Sequence, residues 1–286
     1  MTSVMIRFGE SLLRWGTLAY CSMFPAVRQS YNHKFYPSPV EQKYHANGYC
    51  AVRYIKENGV HVFLPEGTGK MPMIVMVNGT GLKALHYRPV FEHLASWGFI
   101  VVGNDDSNAW SGDSALQSLE VALAMGQTPC HDLYKRIDTG RLGVAGHSQG
   151  SLGAINAASR DCRFKVLYAA SVPKQSLVQN LQWKCEFENI NIPTLLVAGA
   201  KCIDRQISPL ASMHSLRDKI GTNSPIVVSR LTGVEHRFVL HEGDAYMTAW
   251  LRYWLYGDQY AHTAFFSPKA ELFHNPRWQD VSVKLL

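Results

Sequence analysis

Six short apolar runs dominate the chain from residue 71 onward: MPMIVMVNGTG, FIVVGND, RLGVAGH, FKVLYAAS, IPTLLVAGA and SPIVVSRLTG. Runs apolar along their whole length, closed by Gly, Asn, Asp or Ser, suit strands buried on both faces. Segments with helical spacing stand between or after most of them: YRPVFEHLASWG, SALQSLEVALAMG, QGSLGAINAAS, PLASMHSLRDKIG and GDAYMTAWLRYWLYG. Such alternation predicts an α/β fold, a mostly parallel twisted sheet covered by helices on both faces. Ahead of it, YCAVRYIKENGVHVFLP reads as a hairpin turning at Glu57-Asn58-Gly59. In sheets of this kind the chemistry is expected at the carboxyl ends of the strands.

The 286 residues are 47% hydrophobic and 17% charged, the balance of a globular enzyme, and no linker or repeat divides them. The expected organisation is an N-terminal segment, 1–40, helical or targeting, followed by one catalytic domain, 41–286. The net charge of +6 comes from scattered Lys and Arg, with no dense basic run and no nucleic-acid motif. Six cysteines, none in a C-x-x-C pair, argue against a zinc site or a disulfide scaffold and are expected as buried thiols, with a bridge or two as the alternative in an exported protein. Leu12–Ala26 is apolar but interrupted by Arg14 and too short to span a bilayer. It is expected to pack on the domain or touch a membrane surface, with export as the alternative to a cytoplasmic default, since no clean signal-peptide pattern is present.

Gly146-His147-Ser148-Gln149-Gly150 lies between a strand and a helix, which makes it a G-x-S-x-G nucleophile elbow. It lacks the G-x-G-x-x-G spacing of a dinucleotide loop. A serine hydroxyl reacts at neutral pH only when a base takes its proton, and the expected chain order is Ser, then Asp or Glu, then His. Asp204 follows IPTLLVAGA, and His236 follows SPIVVSRLTG, taken here as the last strand of the sheet. Glu235 and Asp218 are the poorer alternatives for the acid, and His241 is the reserve for the base. An oxyanion needs two aimed N–H groups; Gln149 and, in the Asn78–Gly81 turn, Thr80 are expected to provide them. His147, Thr80 and Trp110 are candidates for substrate contact, although a core role for Trp110 is equally open. No metal or organic cofactor is called for.

The chain from about Gly48 to Lys284 resembles the α/β-hydrolase esterases related to cutinases and poly(ethylene terephthalate) hydrolases, with dienelactone hydrolases as wider relatives. The resemblance is carried by VNGTG, LASWGFIVVGND, DTGRLGVAGHSQGSLGAINA, IPTLLVAGAKCID, the His of GVEH and the tail GDQYAHTAFF…NPRWQDVSVK. It implies an α/β-hydrolase fold and a Ser-His-Asp site, with Thr80 where the family places an oxyanion and substrate-contact residue, often aromatic. Polyester hydrolases carry an aromatic residue where this chain has Pro173-Lys174, and dienelactone hydrolases proper use a cysteine nucleophile. The expected function is therefore cleavage of carboxylic esters through an acyl-enzyme, esterase, lipase or cutinase-like. A thioesterase, an acyltransferase or a peptidase of the same fold is the alternative, and a non-catalytic binding protein comes last. About twenty residues join FKVLYAAS to IPTLLVAGA. That is too short for a folded cap, so the partner is expected to be a small-molecule or lipid-like ester entering an open site.

Overall fold

The structure is a computed structural model that describes residues 38–221 and 224–285. The expectations for Leu12–Ala26 lie outside the described residues. The six apolar runs become β3 (Met71–Val77), β4 (Ile100–Asn104), β5 (Ile137–His147), β6 (Phe164–Ala170), β7 (Thr194–Gly199) and β8 (Ile226–Leu231). Their neighbours in space are β4-β3-β5-β6-β7-β8, all parallel.

The hairpin extends this sheet at one edge. Strands β1 (Val52–Glu57) and β2 (Val60–Pro65) pair antiparallel, and β2 runs antiparallel to β4. Asn58 and Gly59 turn between them at φ 48° and 78°, the left-handed pair that an Asn-Gly hairpin supplies at little steric cost. The far edge corrects the sequence reading. The sheet does not end at residue 231, because β9 (Trp278–Lys284) adds antiparallel to β8. This strand has one buried residue and six half-buried ones, so it lacks the apolar run that marked the others.

The period of two in a strand sends successive side chains to opposite faces, and the core divides accordingly. From β3, Ile74 and Met76 enter one apolar cluster, while Met73, Val75 and Val77 enter the other. The first cluster is closed by α1 (Pro39–His45), α2 (Arg88–Ser96) and a long helix at Asp244–Tyr256. The second is closed by helices at Asp113–Gln127, Gln149–Arg160 and Leu210–Lys219. This is the α/β-hydrolase arrangement, and no large cap interrupts it among the described residues. The 171–193 connection holds only one short helix, Gln175–Asn180.

Trp250 anchors the first cluster: it is fully buried, packs its ring 5.1 Å from Phe265, and donates Nε1–H to the Leu167 carbonyl at 3.2 Å. Truncation leaves a cavity and takes one of two donors from a carbonyl that the β6–β7 ladder still pairs. We expect Trp250→Ala to lower unfolding free energy by about 3–5 kcal/mol in urea titration.

Glu271 ties the start of α1 to the end of the chain. Its carboxylate accepts the Val40 and Glu41 N–H groups at 2.7 and 2.8 Å and the Tyr246 hydroxyl at 2.7 Å. The cysteine expectation needs correction among the described residues, which leave out Cys21: Cys130, Cys162 and Cys202 are exposed, and Cys50 and Cys185 are half-buried, all free thiols.

Candidate active site

Strand β5 ends at His147, and Ser148 turns the chain into the helix Gln149–Arg160 with φ 57° and ψ −124°. That left-handed backbone is costly for a side-chain-bearing residue and is held by its surroundings. The Ser148 N–H donates to the Ala170 carbonyl at 2.8 Å. The glycines on either side are required by space. A Cβ at Gly146 would sit 2.0 Å from the Gly150 carbonyl oxygen, and one at Gly150 would sit 2.2 Å from that of Val77.

The other two expected residues meet this turn. Asp204 opens a four-residue helix after β7 and does not cap it; its side chain is fully buried. One carboxylate oxygen accepts the Ser171 hydroxyl at 2.8 Å and the Gly199 amide. The other lies 2.7 Å from His236 Nδ1. His236 begins a short 3-10 turn, 236–238, and its Nε2 lies 2.8 Å from Ser148 Oγ.

The polarity of this chain of contacts follows from chemistry. Burial alone would raise the Asp204 pKa. Hydrogen bonding and attraction from His236, with the Gly199 amide and Ser171 hydroxyl, outweigh it and hold the carboxyl below its ordinary range. An ionised carboxylate only accepts, so His236 Nδ1 carries the proton. Its Nε2 is then bare, accepts the Ser148 hydroxyl, and is placed to act as a base. The alternative residues sit elsewhere. Glu235 pairs with Lys201 at 3.5 Å, Asp218 accepts from its neighbour Arg217, and His241 is buried in the following short helix.

Thr80 lies buried in the turn after β3. The amides beside it are occupied: Gly79 N–H donates to Tyr87 Oη at 3.1 Å, and Gly81 N–H to the Ser107 carbonyl at 2.9 Å. The amides of Thr80 and Gln149 have no acceptor among the described residues. Gln149 opens its helix, where the first N–H groups lack intrahelical partners. Its side chain donates to Asn108 Oδ1 at 2.9 Å.

The two remaining candidates sit in different surroundings. His147 is 3% exposed with both ring nitrogens engaged, Nε2 on the His236 carbonyl at 2.9 Å and Nδ1 on Tyr87 Oη at 3.0 Å. Trp110 is half-buried, stacked 6.5 Å from Trp183 of the 171–193 connection, and its carbonyl accepts from Asn156. Ser171 and Tyr87 were not singled out from sequence; their contacts join segments 33 and 60 residues apart.

Burial, with repulsion from His236, pushes the His147 pKa down to about 3. Unfolded, the same imidazole titrates near 6.5, so the unfolded chain binds a proton the folded chain refuses. This residue's stabilisation is complete above pH 6.5 and is lost as pH falls toward 3. We expect an added slope of up to about 1.4 kcal/mol per pH unit in that window. Urea titrations at stepped pH should show the slope, and His147→Gln should remove its share.

Comparisons with known proteins agree with this architecture. A family model described as PETase, PET hydrolase-like, matches residues 44–278. Cutinase est2 and cutinase est1, both from Thermobifida alba, are each 32% identical to this chain over 110 residues. That stretch is 38% of this chain and 34% of each relative, so the match spans about a third of the relatives' length. The family match covers most of the chain, including β3 through β8 and all of the residues that meet at Ser148. By that match, the chain belongs to the PET hydrolase-like (PETase) family.

Proposed function

We propose that this protein is a serine hydrolase that cleaves carboxylic esters through an acyl-enzyme on Ser148, with residues 41–286 as the catalytic unit. The observation that carries this reading is the unbroken contact series Ser148 Oγ, His236 and Asp204, at 2.8 and 2.7 Å. His236 Nε2 takes the hydroxyl proton as Ser148 attacks the acyl carbon, and Asp204 holds the imidazole tautomer and stabilises its cation. The amides of Thr80 and Gln149 receive the negative oxygen. His236 then gives its proton to the leaving alkoxide, releasing an alcohol. Water repeats the two steps, and the acid departs with Ser148 restored.

Membership in the PET hydrolase-like family and likeness to two cutinases support an ester as substrate. Turnover of p-nitrophenyl esters of increasing acyl length, with and without an added alcohol acceptor, tests the proposal. Release of free acid with little transfer product is expected. A preference for transfer to the alcohol would move the protein to the acyltransferases.

A further inference from the structure

We propose that Tyr87 and His147 are positioning residues: a buried, one-way hydrogen-bond strut that fixes the oxyanion turn and the base-bearing loop relative to each other. The inference rests on the ester-hydrolase reading above and adds residues that make no contact with the reacting atoms.

The direction of every bond in the strut is forced. The His236 carbonyl can only accept, so His147 Nε2, at 2.9 Å, carries the proton. Neutral imidazole then has a bare Nδ1, which accepts from the Tyr87 hydroxyl at 3.0 Å. Having given its hydrogen, Tyr87 Oη accepts the Gly79 N–H at 3.1 Å. The series therefore runs from the amide beside Thr80, through Tyr87 and His147, to the backbone of the residue that holds the base. It crosses the nucleophile strand on the way, because His147 immediately precedes Ser148.

Two further observations support a strut rather than an incidental contact. Tyr87, His147 and His236 are all at least nine-tenths buried, so water cannot replace a lost partner cheaply. Gly79 leaves room for it: a Cβ there would lie 2.9 Å from Tyr87 Oη and 3.4 Å from His147 Nδ1. The His147 and His236 rings lie 4.8 Å apart, so a tilt of one ring moves the other.

Removing the Tyr87 hydroxyl leaves His147 Nδ1 without its donor and the Gly79 N–H without its acceptor, while Nε2–H stays on the His236 carbonyl. The turn beside Thr80 then loses its tie to His147, and the His147 ring, held at one nitrogen only, tilts against the His236 ring. That tilt shifts the base relative to Ser148 and the oxyanion turn, and a shift on the order of 1 Å costs about 10²-fold in rate.

The test measures kcat and KM on a p-nitrophenyl ester, and ¹⁵N NMR of the histidines, for wild type, Tyr87→Phe, His147→Phe and His147→Gln. Folding of each variant is checked by circular dichroism and thermal melting. We expect Tyr87→Phe and His147→Phe to lose about 10²-fold in kcat with KM unchanged. His147→Gln, whose amide offers one donor and one acceptor, should recover most of that loss. His147 should be protonated on Nε2 in both wild type and Tyr87→Phe, with its Nδ1 resonance moved by loss of the donor and the His236 Nδ1–H signal displaced in the variant. Full kcat in folded Tyr87→Phe and His147→Phe, or equal loss in His147→Gln and His147→Phe, would overturn the inference. If wild type turns over no ester, the hydrolase reading fails instead. The NMR arm still decides the strut, since an unchanged His236 signal in Tyr87→Phe contradicts it.

Discussion

Ser148→Ala is expected to reduce kcat on a p-nitrophenyl ester by about 10⁶-fold, with the protein still folded. No second hydroxyl takes its place, since Ser151 Oγ is committed to the Ser148 carbonyl and Ser171 to Asp204. The residual rate would come from binding and the oxyanion amides, which act without the nucleophile. The substitution also relieves backbone strain little, because alanine carries the same Cβ at φ 57°. Loss of activity without loss of stability is thus the expected signature, read by steady-state kinetics beside a thermal melt. A variant retaining a tenth of wild-type turnover would mean that another group attacks the ester.

Asp204→Asn should cost about 10⁴-fold, and its reason lies in the neighbours of the carboxylate. Ser171 and the Gly199 amide both donate to one oxygen of Asp204. An asparagine must turn its own oxygen toward those donors, which aims its NH₂ group at His236. Facing a donor, Nδ1 must become bare, and the proton moves to Nε2. The base is then protonated where it should accept the Ser148 hydroxyl. Glu235→Gln serves as the contrast, because Glu235 pairs with Lys201 while Asp204 holds the imidazole Nδ1. Equal losses for the two substitutions would show that the acid was misassigned.

The strands β3 to β8 were legible because each is an apolar run that fits only a doubly covered sheet. The edge strand β9 was not, because it needs little apolar surface and sits after a helix that looked like the end of the series. Chain order and position after a strand sufficed to expect that Ser148, Asp204 and His236 meet, since the topology carries those three loops to one rim. Ser171 and Tyr87 left no local signal. A serine after β6 and a tyrosine ahead of α2 become meaningful only when distant backbone brings a partner to them. The place of His147 beside the nucleophile makes it a candidate for substrate contact, but its partners Tyr87 and the His236 carbonyl are visible only in the fold. The exposed cysteines had no pattern to mark them, since thiols without charge partners or spacing carry no positional information.

The central claim is that Ser148 is a nucleophile made reactive by His236. The most direct measurement is intact-mass and peptide-level mass spectrometry after treatment with a fluorophosphonate. The account predicts one adduct, on the peptide containing Ser148, formed slowly or not at all in His236→Ala. An adduct on a different residue, or none on the folded wild-type protein, would contradict it.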